Sequence, residues 1–123
     1  MKSKLVIDAK GIYYRDLNER IRQAVKEGVK EFELLNVSGQ RYIGTALDGE
    51  IKFLIHGVAG QDTAAFMRGP YMRIEGNAQD GLGNTMDDGF VSCTGMAGDV
   101  MGYAMRGGQI HIHGAVGYRA GIH

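Results

Sequence analysis

Four groups of residues in this chain have the types and spacing that chemistry uses. The stretch TGMAGDVMGYAMRGG, residues 94–108, is rich enough in glycine to cradle a phosphate. Such a loop follows a strand and opens a helix whose N-terminus faces the anion. Here the next segment is QIHIHG, which alternates like a strand, and no G-K-[ST] is present, so these glycines read as architecture. His111 and His113, two apart on that segment, share one face, and His56 falls in the His113 column of the repeat described below. Imidazoles on one face can converge on zinc. Alternation places them outside, however, among Arg73, Glu75, Ser92 and Thr94, a solvated face with no clear third ligand. Asp80 and Asp99 also share a column, in line with Gln61 and Tyr118. Stacked carboxylates can raise a pKa and serve acid–base work. Both sit beside glycine corners, where aspartate usually satisfies turn N–H groups. Cys93 falls on an inward position as a small hydrophobe. No catalytic, cofactor-binding or metal-ligating residue is therefore assigned.

The elements that hold these residues are set by a repeat. From Ile51 onward the chain matches itself at a period of 19: Gly57, Gly76, Gly95 and Gly114 are in register, as are Gly83, Gly102 and Gly121. Gly60, Gly98 and Gly117 form a column broken by Gln79, Met67, Met86 and Met105 another, and Ala59, Ala78, Ala97 and Val116 a fifth. The methionine column reads as core filling. Arg68 and Arg106 flank it, but Asp87 interrupts them, so no arginine ladder for anions is expected. Each period carries a short alternating segment: Phe53-x-Ile55, Met72-x-Ile74, Val91-x-Cys93 and Ile110-x-Ile112. Period-two apolar spacing marks a strand with one buried face. Leu54, Arg73, Ser92 and His111 then point outward. A weaker coil precedes the series at Phe32-x-Leu34.

Strands recurring at this period with glycine corners predict an all-β solenoid, a single-stranded parallel β-helix in which like residues stack in ladders. No six-residue subperiod of aliphatics is present, which favours the right-handed form. The chain reads as one domain over 1–123, with an N-terminal strand and capping helix in 1–29 and coils in 30–123. In RDLNERIRQAVKEG, Asp16 with Glu19 reads as a capping box, Gly28 as the stop, and Leu17, Ile21, Ala24 and Val25 as the apolar stripe. The C-terminal GYRAGIH stops partway through a coil, an edge expected to be covered by more chain, another subunit or a symmetry mate, so a homo-oligomer through that end is a candidate.

Twenty of the 123 residues are glycine and one is proline; acidic and basic residues balance at 14 each. That balance gives no footprint for nucleic acid or anionic lipid. No apolar run approaches membrane-spanning length, and MKSKLVIDAKG has no apolar core of a secretory signal. A single cysteine cannot form an internal disulfide, which suits a cytoplasmic setting.

The series GVAGQDTAAFMRG, GNAQDGLGNTMDDG, GMAGDVMGYAMRGG and GAVGYRAGIH resembles the GXGXG repeat domain at the C-terminal end of the glutamate synthase large subunit. The same repeat occurs in a scaffold subunit of the molybdenum or tungsten formylmethanofuran dehydrogenases. The opening IDAKGIYYRDLNERIRQAVKEGVKEFELLNVSGQRYIG is similar to the glutamate synthase version, above all its stand-alone prokaryotic form. The resemblance implies a right-handed β-helix without catalytic residues. It packs against domains that release ammonia from glutamine and add it to 2-oxoglutarate at an FMN site beside an iron–sulfur cluster. The amidotransferase, FMN and cluster would then belong to partner subunits or domains, since no nucleophilic N-terminal cysteine, flavin-barrel motif or cluster cysteines occur here. Ala64 and Gln79 stand where the repeat has glycine. The expected role is structural, in a glutamate synthase-type complex. The alternatives are the dehydrogenase scaffold and an autonomous β-helix enzyme or binding module using the Asp80/Asp99 face.

Overall fold

The computed structural model describes residues 4–99, 102 and 105–114. The elements are β1 (Lys4–Asp8), α1 (Tyr14–Lys26), β2 (Glu31–Ser38), β3 (Lys52–Ala59), β4 (Arg68–Ala78), β5 (Asp88–Cys93) and β6 (Gln109–Ile112). All six strands lie in one parallel sheet in sequence order, the signature of a coiled solenoid.

The alternating segments stack as the period requires. Leu5, Phe32, Phe53, Met72, Val91 and Ile110 form one ladder; Ile7, Leu34, Ile55, Ile74, Cys93 and Ile112 form the next. From Phe53 to Ile110 the step is 19 residues at every coil. Because like positions stack directly, the Phe32 and Phe53 rings lie nearly parallel, 5.0 Å apart. These ladders make one continuous core with Met67 and Met86, both fully buried, and Met105 packed against it. The two earlier coils are longer, with the extra residue of β2 taken up between Leu34 and Val37, where Asn36 adopts φ +56°. That is a bulge.

The arm that closes each coil is built from overlapping turns. Ala65 N–H bonds to Asp62 O and Met67 N–H to Ala64 O; Thr45/Tyr42 with Leu47/Gly44, and Asn84/Gly81 with Met86/Gly83, repeat the pair. The third residue of each turn has positive φ: Gly44 and Ala46, Ala64 and Phe66, Gly83 and Thr85. That conformation is the requirement of a type II turn, and glycine meets it without a Cβ penalty. Ala64, which replaces glycine, is held there at φ +64°. Its N–H bonds to Ile43 O of the coil before, and Gly83 N–H bonds likewise to Thr63 O. Ile43, Thr63 and Leu82, between the left-handed residues, are buried.

Helix α1 occupies, in the first coil, the place the arm takes in later ones. Leu17, Ile21 and Ala24 enter the core, and the Asn18 side-chain amide donates to Arg41 O at 2.7 Å. The capping box does not form. The helix starts two residues before Asp16, with Tyr13 as an N-cap that makes no side-chain bond, so Asp16 lies inside the first turn. There its charge favours the helix N-terminus instead. Gly28 does stop the helix: at φ +95° it bonds to Val25 O while Val29 N–H bonds to Ala24 O, a Schellman arrangement.

Candidate functional site

The sequence candidates lie on two surfaces, the outer face of the sheet and the corner after each strand. On the face, Glu33 sits between Lys4 Nζ, 3.3 Å away, and His56 Nε2, 2.8 Å away. These two neighbours, His56 foremost, hold the Glu33 carboxyl below its ordinary range. His56 is thus in an ion-pair cluster at one end of the sheet. Glu75 is its register partner, and Thr94 and His113 continue the column, their N–H groups bonding to Ile74 and Cys93. Three strand spacings put His113 roughly 14 Å from His56. His111 stacks on Phe90, which stacks on Tyr71, with centroids 5.0 Å apart in both pairs. The imidazoles are not brought together, and among the described residues no group of three His, Cys, Asp or Glu side chains could hold a metal.

One residue of this face departs from the solvated reading. Ser92 is only 4% exposed, and its Oγ has no hydrogen-bond partner among the described residues. It lies in register between Arg73 and His111, on the face carrying the ring stack.

At the corner, Asp80 and Asp99 are neighbours on successive coils. Asp80 Oδ1 accepts the backbone N–H of Asp99 at 2.8 Å, and three residues earlier Asn77 Oδ1 accepts that of Met96 at 2.8 Å. Both side chains tie one coil to the next. Gly98 makes room for this, since a Cβ there would lie 2.2 Å from Asp80 Oδ1. A shallow groove of about 450 Å³ runs beside them, lined by Gln61, Asn77, Gln79, Asp80 and Met96 among others. Tyr118, the remaining member of that column, and Gly117, Gly121 and Val116 lie outside the described residues.

Cys93 is fully buried; its thiol donates to Gly76 O at 3.2 Å, and burial pushes its pKa up. The stretch 94–108 holds no helix in its described part and leads into β6. Sequence reasoning missed one arrangement. Asp87, an interruption when the arginines are read alone, grips Arg106 with both oxygens at 2.8 and 3.2 Å, and Asp48 grips Arg68 at 2.9 Å. Opposite charge one coil away, 19 residues for Asp87 and Arg106 and 20 for Asp48 and Arg68, was the available signal.

The model of the GXGXG motif family matches residues 15–123. The chain belongs to this family. Glycine at every second position, the spacing in the GXGXG name, is the spacing of the left-handed residues in the arm, where this chain has Gly81, Gly83 and then Thr85. The GXGXG chain is also 44% identical, over 98% of its length, to an uncharacterized protein, MJ1350, of Methanocaldococcus jannaschii. It spans 47% of that relative. No solved structure matches it. Among its described residues no helix is long and apolar enough to cross a membrane.

Proposed function

We propose that this chain is a non-catalytic assembly subunit or domain of a glutamate synthase-type oxidoreductase, working in the cytoplasm. Partner subunits or domains carry the amidotransferase, the FMN and the iron–sulfur cluster. The observation that carries this reading is where the Asp80 carboxylate goes. The side chain best placed for acid–base work accepts the backbone N–H of Asp99, so it is engaged in stacking coils. What such a body offers a larger enzyme is a rigid surface whose shape is fixed by the ladder. The likeness of the N-terminal third, through α1 and β2, favours glutamate synthase over the dehydrogenase.

The experiment is to tag the chain in its native host, purify it gently, and record the visible spectrum and subunit masses. Flavin and iron–sulfur absorption together with an amidotransferase chain is the expected result. A molybdenum or tungsten pterin moves the assignment to formylmethanofuran dehydrogenase. A colourless eluate of this chain alone overturns both and returns attention to the Asp80/Asp99 groove.

A further inference from the structure

Strand β1 begins the sheet, and among the described residues it is bonded to β2 alone. Its polar backbone groups can be assigned to sides. Ala9 N–H bonds to Leu35 O of β2 at 2.7 Å. Bonding direction alternates along a strand, so Leu5 and Ile7 also face β2, while Lys4, Val6 and Asp8 turn N–H and C=O to the outer edge. An edge of this kind is a template for another strand. Val6, at its centre, is 50% exposed, and Leu5, at the start of a core ladder, is only partly buried.

We propose that this edge pairs with the β1 edge of a second copy of the chain, antiparallel, about a two-fold axis through Val6. The inference goes beyond the proposed function and does not depend on it. The strand KLVID is complementary to itself when reversed: Lys4 meets Asp8 of the second copy, Leu5 meets Ile7, and Val6 meets Val6. The bonding groups agree with the charges. Pairs that exchange both N–H···O=C bonds recur at every second residue of an antiparallel ladder, and Lys4, Val6 and Asp8 are the residues whose groups face outward. A slip by one residue sets Val6 against Leu5 or Ile7, whose groups are already turned to β2. It also loses the Lys4–Asp8 match. On the outer face the register places an ammonium opposite a carboxylate at each end. Within the chain Asp8 Oδ1 accepts Lys10 N–H and the amide of Asn36 on β2, and Lys4 Nζ lies 3.3 Å from Glu33 of β2, so pairing across the axis shares these charges between β2 and the second copy. On the inner face the Leu5 and Ile7 ladders run on into Ile7 and Leu5 of the second copy, so the apolar core continues across the axis. A lysine on an edge strand ordinarily discourages pairing; here the facing Asp8 answers it.

The test uses the whole chain. Sedimentation velocity over a concentration series is expected to show a species of twice the 13.4 kDa chain mass. Val6→Lys, which sets two ammonium groups opposite each other without touching a β1–β2 bond, is expected to halve that mass with an unchanged circular dichroism spectrum. Should that variant fail to fold, cysteine placement reads the register directly. Val6→Cys brings two Cα atoms to about 5.5 Å, inside disulfide range, and is expected to cross-link into a dimer in oxidised glutathione. Lys4→Cys, whose mate lies on the order of 14 Å away across the axis, is expected to stay uncross-linked. A wild-type chain that remains monomeric throughout overturns the proposal, as does a Lys4→Cys variant that cross-links as fast as Val6→Cys.

Discussion

Gly76 stands over Gly57 so closely that a Cβ on Gly76 would lie 1.9 Å from the Gly57 carbonyl oxygen. Gly57 in turn approaches Val37, with a built Cβ 2.1 Å from the Val37 oxygen. Both glycines have positive φ, +147° and +126°. At this column the coils touch backbone to backbone, and the contact is with atoms that cannot rotate away. Gly95 N–H bonds to Gly76 O and Gly114 N–H to Gly95 O, which carries the column onward.

Gly76→Ala is therefore expected to cost more than about 4 kcal/mol, the range reached by forced backbone changes, and to leave little folded chain. Gly11→Ala is the control. Gly11 has φ +73° but nothing within 4 Å of a built Cβ, so only the left-handed conformation is penalised, by about 1–2 kcal/mol. Urea titrations of the two variants beside the parent check the difference. Equal midpoints would mean that close approach contributes nothing.

At Asp80 the structural and chemical roles respond differently to the same substitutions. The carboxylate accepts the Asp99 N–H, and an asparagine oxygen can accept it too. Asp80→Ala is expected to lower stability by about 1 kcal/mol, with Asp80→Asn close to the parent. Neither should change the activity of the complex proposed above. A carboxylate doing acid–base work would fail in both variants, so an inactive but stably folded Asp80→Asn chain would reverse the assignment.

The strands and their register were legible in the sequence because a solenoid repeats its environments. Phe53, Met72, Val91 and Ile110 face the same core at the same depth, so the 19-residue period exposes the ladder directly. The arm was only half legible. Gly44 and Gly83 mark left-handed positions, but Tyr42 and Phe66 hold φ +62° and +56° with no propensity to announce it. Hydrogen bonds to the next coil impose the conformation, Tyr42 N–H to Gln61 O and Phe66 N–H to Asn84 O. The start of α1 departs from the capping pattern for a similar reason. Tyr14 packs its ring 5.7 Å from Tyr42 and Asn18 bonds to Arg41, contacts a local pattern does not contain. Outward register alone makes Ser92 look solvated, because register fixes the direction of a side chain and not its exposure.

The Glu33 cluster gives the acid limb of stability a definite sign. Folding lowers the Glu33 pKa, through His56 first and then Lys4, from an ordinary value of 4.5. Its contribution is thus present above pH 4.5 and is lost as pH falls through the lower, folded value. Asp8, lowered chiefly by the Asn36 amide, acts in the same direction below its ordinary 3.8. Glu33→Gln is expected to flatten the decline of stability as pH falls below the ordinary value of 4.5, measured as urea midpoints along a pH series. An unchanged acid limb would show that Glu33 has the same affinity for its proton in both states.

Cys93 links the chemistry of a single thiol to the integrity of the stack. Its sulfur is fully buried, donates to Gly76 O, and has its pKa raised by burial, three conditions that suppress the thiolate. A thiolate is the reactive form, so modification requires the coil to open. Labelling by an aromatic disulfide reagent is expected to be slow in the folded chain and to accelerate in urea in step with unfolding. Gly11→Ala should raise the rate by about tenfold for each 1.4 kcal/mol it costs when opening is global. If Cys93 reacts in the untreated chain as fast as in the unfolded one, the inner ladder is open at β5 and the thiol is accessible to ligands.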